Sequence, residues 1–395
     1  MKENKYFIIF GGGGIRGISY CGAYKALLEN NIKVTGYAGS SIGAVYASLS
    51  AVGYTYDEIF EILSNAGFEM FIDINVGFKK KEVAISKGNI FLDAVREYIE
   101  KKYYKENYQK GKMPPVRFCD IKEKLIIYSV DLTNLKFKEF SSVETPDFEI
   151  ASAVRASVSM PGLFTPLECD NCLLVDGDLL KSTPLWRLSN TIKNLKERII
   201  EFRLEDNETT KTVTSSLDFI NRVYNAICGF ATDYIVDLYK EKDKFDYIKI
   251  NTEGVSVIDF LIPKEKKDEL FKIGYETTND YFKNFFPDKR KKLKEKYEKL
   301  LCHILKFQKE FNKINTINSY LALCEMFVYL CEEKQYIDSN IYEMILNFKN
   351  EYIKNCKRVN FFGIKSCTIR DKENICKLLL EIIHDLTEKI AELSN

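Results

Sequence analysis

The first 180 residues alternate between short apolar segments and segments with helical spacing, and no other feature constrains the fold as strongly. The predicted strands are Tyr6–Phe10, Val34–Ala38, Leu125–Asp131 and Leu173–Val175, and the predicted helices are Gly17–Glu29, Ile42–Ala51 and Pro146–Ala156. Thr145 is expected to be the N-cap of the last helix, because the proline after it suits the first helical position. This alternation predicts a layered α/β fold with a mainly parallel sheet.

The pattern changes in the second half of the chain. Two more strands and a long helix are predicted at Arg198–Arg203, Tyr247–Ile250 and Val213–Lys240. From Pro263 onward only helical spacing with Lys- and Glu-rich faces is found, and Pro287 interrupts that pattern. We therefore predict an α/β domain at 1–286 and an all-α region at 287–395.

Charge and cysteine usage limit the expected partners and compartment. The net charge of +1 gives no reason to expect a nucleic-acid partner. The 11 cysteines are scattered, and an odd number without framework spacing favours reduced thiols in the cytoplasm. The apolar run Tyr6–Phe10 is too short for a signal peptide, and no segment predicts a transmembrane helix. Cys169 and Cys172 have C-x-x-C spacing without a second Cys or His pair nearby, so no metal site is predicted.

A run of glycines lies between the first predicted strand and the first predicted helix. Gly12, Gly14 and Gly17 match the G-x-G-x-x-G pattern of dinucleotide-binding folds. That interpretation requires an acidic residue about 20 positions further on, and none occurs between Glu29 and Asp57. Consecutive glycines also let backbone N–H groups converge on an anion, such as the oxyanion of an ester-hydrolysis intermediate. A tight turn without a ligand remains the alternative.

Ser41 is the candidate nucleophile. Gly39, Ser41 and Gly43 form a G-x-S-x-G pattern, which is typical of a nucleophile elbow. The predicted strand before this pattern and the helix of small residues after it provide the context that such a turn requires. The N-terminus of that helix favours negative charge that develops beside the serine.

The serine hydroxyl also needs a proton acceptor. The chain has 2 histidines, His303 and His384, and both fall in the Lys- and Glu-rich helical part. An α/β-hydrolase triad places its serine after several strands and its histidine in a late loop, so neither histidine suits that arrangement. Asp176 follows a buried strand and precedes Gly177, at the kind of strand exit where α/β sheets place functional side chains. Asp-Gly is also a common turn dipeptide, so a structural role is the alternative.

Three blocks, Gly12–Gly17, Gly39–Gly43 and Asp176-Gly177, together resemble the signature blocks of patatin-like phospholipases in order and approximate spacing. The resemblance covers about residues 5–286 and includes Arg155–Phe164, which is similar to a segment that lines the family's site. It implies a three-layer sandwich around the sheet and a Ser-Asp dyad formed by Ser41 and Asp176. It also implies an oxyanion hole among Gly12, Gly13 and Gly14.

Within these segments, the resemblance also places Arg16, Ser159 and Pro161 near the substrate. The Arg16 guanidinium suits a lipid phosphate, and it suits the backbone carbonyls of the glycine loop equally well. One departure from the family pattern is Asp178, because glycine or alanine usually follows Asp-Gly in the third block. A carboxylate at that position either disturbs the ionisation of Asp176 or faces solvent.

The resemblance implies a phospholipase A-type hydrolase that forms an acyl-enzyme intermediate and requires no metal or organic cofactor. A neutral-lipid or general esterase and a catalytically silent scaffold are the alternatives. The basic run Lys289–Lys296 suits anionic headgroups, so peripheral membrane contact is expected, although a solvated helix face explains the run as well. The C-terminal helices also suit binding of a protein partner.

Overall fold

The structure is a computed structural model in which the chain forms two compact units. It describes residues 5–66, 84–179, 197–205, 244–252, 261–312, 316–361, 364–369 and 371–394, with single positions between these ranges. Lys244–Phe282 belongs to the unit that contains the large sheet, and Lys283–Asn395 belongs to the other unit. The division falls after Phe282, and the domain boundary at 286/287 stays a prediction.

An eight-stranded sheet organises the first unit. The described strands are β1 (Lys5–Phe10), β2 (Lys33–Gly39), β3 (Ala84–Ser86), β4 (Lys124–Asp131), β5 (Lys136–Ser141), β6 (Gly162–Phe164), β7 (Leu167–Cys169), β8 (Cys172–Asp176), β9 (Arg198–Glu205) and β10 (Phe245–Asn251). The sheet order is β10-β9-β1-β2-β4-β8-β7, with β5 also paired to β4, whereas β3 and β6 form a separate pair. Strands β10, β9, β1, β2 and β4 are parallel, and β5, β7 and β8 are antiparallel to their neighbours. The prediction of a mainly parallel sheet is confirmed.

The described helices pack against one apolar face of this sheet, and its other face is apolar as well. The described helices of the first unit are α1 (Ser19–Glu29), α2 (Ile42–Ala51), α3 (Tyr56–Asn65), α4 (Asn89–Tyr104), α5 (Ile150–Ser157) and α6 (Lys264–Asp280). Alternate residues of β1 point to opposite faces: Tyr6, Ile8 and Phe10 pack with the helices, and Phe7 and Ile9 pack in a second cluster with Phe245. Burial of both faces is the normal condition of a parallel strand in a layered fold.

One predicted helix begins later than the sequence pattern indicated. Helix α5 starts at Ile150 with Glu149 as its N-cap, not at Pro146 with Thr145 as the cap. Thr145 instead closes a turn after β5, because its hydroxyl accepts the Ser141 N–H at 3.1 Å and its own N–H donates to the Ser141 carbonyl at 2.9 Å. Side chains that bond locally to the backbone compete with helix formation in this way. The helix predicted at Val213–Lys240 lies outside the described residues, apart from isolated positions.

Helix α6 packs directly on α1, which follows the glycine run. A Cβ added at Gly22 would lie 1.9 Å from the Phe271 carbonyl oxygen, and one added at Gly274 would lie 1.9 Å from the Ser19 carbonyl oxygen. The two glycines therefore allow the helix backbones to approach closely. This contact joins the late helix to the part of the chain that carries the candidate site.

The second unit is mainly helical, as predicted, but it also contains a hairpin. Its described helices are α7 (Phe286–Asn312), α8 (Thr316–Glu332), α9 (Ser339–Asn355) and α10 (Lys372–Ser394), and the antiparallel strands are β11 (Cys356–Phe361) and β12 (Ile364–Ile369). The expectation of helices alone was therefore wrong between α9 and α10, where Val359, Ile364 and Ile369 favour strands. Pro287 is the second residue of α7, and a π-helical segment, Tyr281–Phe285, directly precedes that helix.

Candidate active site

Ser41 occupies a strained position between β2 and α2. Its backbone has φ 53° and ψ −128°, a conformation that residues other than glycine rarely adopt. The glycines on either side are required by space: a Cβ at Gly39 would lie 2.2 Å from the Gly43 carbonyl oxygen, and one at Gly43 would lie 2.1 Å from that of Phe10. The sharp turn therefore presents Ser41 at the N-terminus of α2, with the strand before it and the helix after it as predicted.

The strand that ends at Asp176 reaches this turn from the opposite direction. Strand β5 occupies one edge of β4, so β2 and β8, which also pair with β4, share the other edge. The last pair of β2 is Gly39 opposite Ile127, and β8 runs antiparallel to end with Asp176 opposite Ser129. Because a strand rises about 3.4 Å per residue, the ends of β2 and β8 meet with a separation of about 7 Å along β4.

Ser157, at the end of α5, bridges the two strand ends. Its hydroxyl accepts the Ser41 N–H at 3.0 Å and donates to the Tyr128 carbonyl at 2.5 Å, and its own carbonyl accepts the Gly177 N–H at 3.2 Å. Gly177 also packs on the nucleophile turn, since a Cβ built there would lie 3.1 Å from the Ser40 Cβ. Ser157 was not predicted as a site residue, and its only sequence signal was its place within Arg155–Phe164.

Asp176 is held by backbone groups on both sides. The residue is 1% exposed, its N–H donates to the Ser159 carbonyl at 3.0 Å, and one carboxylate oxygen accepts the Asp178 N–H at 2.9 Å. A carboxylate that accepts the N–H two residues further on closes a local turn, and this turn fixes the orientation of the aspartate side chain relative to the strand before it. The carboxylate therefore has a defined orientation at the point where β8 meets β2.

Asp178 does not face solvent, which corrects one of the two expectations for it. The residue is 3% exposed. One carboxylate oxygen accepts hydrogen bonds from the Gly12 N–H at 2.9 Å and from the Arg203 guanidinium at 3.2 Å. The other oxygen accepts a hydrogen bond from the Ser40 hydroxyl. The third block thus contributes two carboxylates to the site, one on each side of Gly177.

The N–H groups of the glycine loop differ in whether they have a hydrogen-bond acceptor. Gly12 already donates its N–H to Asp178, whereas the N–H groups of Gly13 and Gly14 have no acceptor among the described residues. Gly13 has φ 147° and Gly14 has φ 58°, so both need the conformational freedom of glycine. Arg16 is 6% exposed and donates from Nε to the Gly13 carbonyl at 3.1 Å. Of its two expected partners, a lipid phosphate and the carbonyls of the glycine loop, the structure shows the second.

An apolar cavity opens next to Ser41, and its empty space, with the part that is open to solvent included, is about 620 Å³. Its described lining residues are Gly14, Ile15, Ile18, Ser41, Ile42, Val45, Leu63, Ala66, Phe91, Val158, Met160, Leu163, Phe164 and Val257. Ser41 supplies the one polar side chain in that set. Neither Ser159 nor Pro161, both implied to contact substrate, belongs to it, although Met160 between them does. A lining of this kind suits a hydrocarbon chain and offers no charged partner to a headgroup.

A buried arginine holds one wall of the cavity. Arg155 donates to the carbonyls of Gly88 at 3.0 Å and Thr165 at 2.8 Å, and also to that of Lys87. It donates to the Ser159 hydroxyl at 2.5 Å as well, so Ser159 belongs to this structural network. Burial lowers the pKa of Arg155 to about 10, so the side chain is still a cation at neutral pH. Arg155 thereby links α5 to the segments that carry Phe91 and Phe164.

Both histidines lie on helices of the second unit. The His303 ring packs on Tyr329 with centroids 5.1 Å apart, and His384 lies 3.8 Å from Glu388 with 70% of its side chain exposed. Within the described residues, no group of His, Cys, Asp and Glu side chains is arranged to hold a metal ion. None of the described helices combines the length and the apolar character needed to cross a bilayer.

The comparisons with known proteins agree with the sequence blocks. Residues 8–188 match the family model described as patatin-like phospholipase. An uncharacterized protein of Acanthamoeba polyphaga mimivirus is 27% identical over 273 residues, which are 67% of this chain and 89% of that protein. A probable lipid hydrolase of Invertebrate iridescent virus 6 is 27% identical over 195 residues, 46% of this chain and 63% of that protein. The crystal structure of VipD from Legionella pneumophila aligns with a TM-score of 0.47 and 16% identity, covering 99% of this chain and 88% of that one.

The family match supports lipid hydrolysis as the general class of activity. The resemblance inferred from the three blocks is thereby confirmed.

Proposed function

We propose that this chain is a phospholipase A-type hydrolase in which Ser41 attacks a fatty-acyl ester and Asp176 accepts the proton of its hydroxyl. The main support is that the strand ends carrying these residues meet on one edge of β4. The apolar cavity lies at the same place, with Ser41 on its wall. A nucleophile at the wall of an apolar cavity suits an ester whose acyl part is a hydrocarbon chain.

The proposed reaction has two acyl-transfer steps. In the first, Ser41 Oγ attacks the ester carbonyl carbon, and the oxyanion is stabilised by the N–H groups of Gly13 and Gly14 and by the N-terminus of α2. The alcohol leaves with the proton that Asp176 accepted, and the acyl chain stays on Ser41. Water then gives a proton to Asp176 and attacks the acyl-enzyme. The bond to Ser41 Oγ breaks, Asp176 returns the proton to that oxygen, and the fatty acid leaves.

Product analysis on a small panel of substrates tests this proposal. The purified full chain is incubated with phosphatidylcholine vesicles, a triglyceride emulsion and a short chromogenic ester, each with and without EDTA, and products are measured by mass spectrometry. We expect fatty acid and lysophospholipid from the vesicles, at equal rates with and without EDTA. Faster release from triglyceride would favour the neutral-lipid esterase, and inhibition by EDTA would contradict a metal-free mechanism.

A catalytically silent scaffold is the alternative from another functional class. A fluorophosphonate probe separates the two, because it reacts with an activated serine and needs no knowledge of the natural substrate. Labelling of Ser41 supports the hydrolase. Lack of labelling, together with no product from any of the three substrates, would support the scaffold.

Replacement of both His303 and His384 by alanine should leave hydrolysis within about twofold of wild type, since substitutions away from the site usually have small effects. The dyad requires no imidazole. The measurement is kcat/KM on the chromogenic ester, with the melting temperature recorded because His303 packs on Tyr329. A folded double variant that has lost about a thousandfold in rate would instead support a histidine-dependent triad.

A cytoplasmic location and peripheral contact with membranes also remain proposals for this chain. Part of the basic run is used within the second unit, where Arg290 donates to the Glu392 carbonyl and Lys296 pairs with Glu333 at 2.5 Å. Lys291 and Lys292 are exposed, which leaves them accessible to anionic headgroups. Loss of vesicle binding on replacing these two lysines by glutamine would support that contact.

A further inference from the structure

Asp178 forms hydrogen bonds with all three sequence blocks of the proposed site. Its N–H donates to the Asp176 carboxylate at 2.9 Å, and its own carboxylate accepts the Gly12 N–H at 2.9 Å and the Ser40 hydroxyl. The family pattern usually has glycine or alanine at this place, and neither has a side chain that makes such contacts. The link between the blocks is therefore a feature of this chain's own sequence.

We propose that Asp178 is a positioning residue that holds the glycine loop, the nucleophile turn and the catalytic carboxylate in one fixed geometry. The inference rests on the proposed function, since it assigns Asp178 a role in the same reaction. Asp178 acts through Gly12, Ser40 and Asp176, and it does not line the described part of the cavity.

The first effect of Asp178 is on the glycine loop. By taking the Gly12 N–H, its carboxylate fixes the residue before Gly13 and Gly14, whose N–H groups have no described acceptor. Gly12 is packed tightly in this arrangement: a Cβ there would lie 2.1 Å from the Asp178 carboxylate oxygen and 3.1 Å from the Ser41 Cβ. The loop, the carboxylate and the nucleophile therefore occupy mutually dependent positions.

The second effect is on the nucleophile turn and the base. The Ser40 hydroxyl donates to Asp178, so the residue next to Ser41 is tied to the loop that carries Asp176. The Asp178 N–H orients the Asp176 carboxylate at the same time. A displacement of either segment would lengthen the path from the Ser41 hydroxyl to its base, and small displacements of reacting groups reduce rates strongly.

Arg203 makes a buried carboxylate tolerable at this point. Its guanidinium lies 3.2 Å from the Asp178 carboxylate, and both side chains are almost completely buried. Arg203 also packs on the loop itself, since a Cβ at Gly11 would lie 2.6 Å from its Nη1 atom. Burial raises the pKa of the neighbouring Glu201 well above its usual range, and the charge of Arg203 acts against that rise. A paired, hydrogen-bonded carboxylate avoids most of the cost of an isolated buried charge.

Two substitutions of Asp178 test this role. Asp178→Asn keeps an oxygen acceptor but loses the charge, and Asp178→Gly restores the residue usual in the family. We expect kcat to fall about tenfold to hundredfold for Asp178→Asn, similar to the loss of one oxyanion contact, and further for Asp178→Gly. KM for the chromogenic ester should stay unchanged, because the cavity is intact. The rate of Ser41 labelling by fluorophosphonate should fall in parallel with kcat.

Asp131→Asn is the matched control. Asp131 is 1% exposed and its carboxylate accepts the Thr133 and Asn134 N–H groups at 3.0 and 3.1 Å, so it is as buried and as well bonded as Asp178 but serves the β4–β5 turn. We expect this variant to lose stability without a change in kcat. An equal loss of kcat in both variants would show that the effect is general destabilisation, and would overturn the proposal.

The remaining outcomes also decide the question. Wild-type activity in Asp178→Gly would contradict the positioning role, because the glycine usual in the family would then be sufficient here. If the Asp178 variants fail to fold, Ser40→Ala provides the test, since it removes a single atom that donates to Asp178. An unchanged kcat in Ser40→Ala would overturn the proposal, and a lowered kcat with unchanged KM would support it. Absence of labelling in the wild type, by contrast, would refute the proposed function itself.

Discussion

Replacement of Ser41 by alanine should lower phospholipid hydrolysis by about four orders of magnitude or more, as expected when the nucleophile of a serine hydrolase is removed. The alanine cannot form the acyl-enzyme, so only direct attack by water, assisted by the oxyanion donors, remains. Covalent labelling by a fluorophosphonate should disappear as well. The measurements are fatty-acid release from phosphatidylcholine vesicles by mass spectrometry and the mass of the labelled protein.

Ser40→Ala is the control for this experiment, because the two serines are adjacent in the same turn. Ser40 is 3% exposed and donates to Asp178, whereas Ser41 has the strained backbone and lies on the cavity wall. We expect Ser40→Ala to be labelled on Ser41 and to retain measurable hydrolysis at a reduced rate. Labelling that survives in Ser41→Ala and disappears in Ser40→Ala would identify the other serine as the nucleophile and refute the assignment.

Replacement of Asp176 by asparagine should reduce kcat by about a hundredfold to ten thousandfold, the usual contribution of a general base. Asparagine has nearly the same shape and keeps an oxygen for the Asp178 N–H, so the loop has no steric reason to move. It cannot accept the serine proton, and this loss affects both acyl transfers. The check is kcat for ester hydrolysis together with the rate of fluorophosphonate labelling, and both should fall.

Asp178→Asn is the natural comparison, because it makes the same chemical change two residues further along the loop. A positioning residue should cost less rate than the base, so we expect Asp176→Asn to be the more damaging of the two. The reverse order, with Asp176→Asn near wild-type activity, would mean that Asp178 is the base. In that event Ser40, which bonds to Asp178, would become the candidate nucleophile.

Local sequence patterns predicted the strands, helices and turns whose formation depends on residues that are close together in the chain. The strands β1, β2 and β4 and the helix α2 were predicted closely, because their apolar spacing is long and continuous. The turn at Ser41 was predicted from Gly39 and Gly43, because the positions on both sides of the serine have space only for glycine. The hairpin β11–β12 was missed because two short strands between long helices give a weak periodic signal.

The local sequence patterns could not predict the contacts around Asp178. Whether a carboxylate after Asp-Gly faces solvent or the glycine loop depends on what the sheet brings beside it. The same holds for Ser157 and Arg155, whose hydrogen bonds join segments far apart in the chain. Their sequence neighbours, small and apolar residues of α5, give no sign of these partners.

The sequence by itself determined the α/β fold class, the family, and the identity of the candidate nucleophile and base, because each of these depends on short segments with a strict steric or periodic requirement. The tertiary structure alone decided how Ser41 and Asp176 are brought together. Strand β8 is antiparallel to β4 and meets β2 end to end on the same edge, so the pairing register sets their separation. Register depends on side chains and backbone groups from several distant strands at once, and for that reason it cannot be read from any one segment.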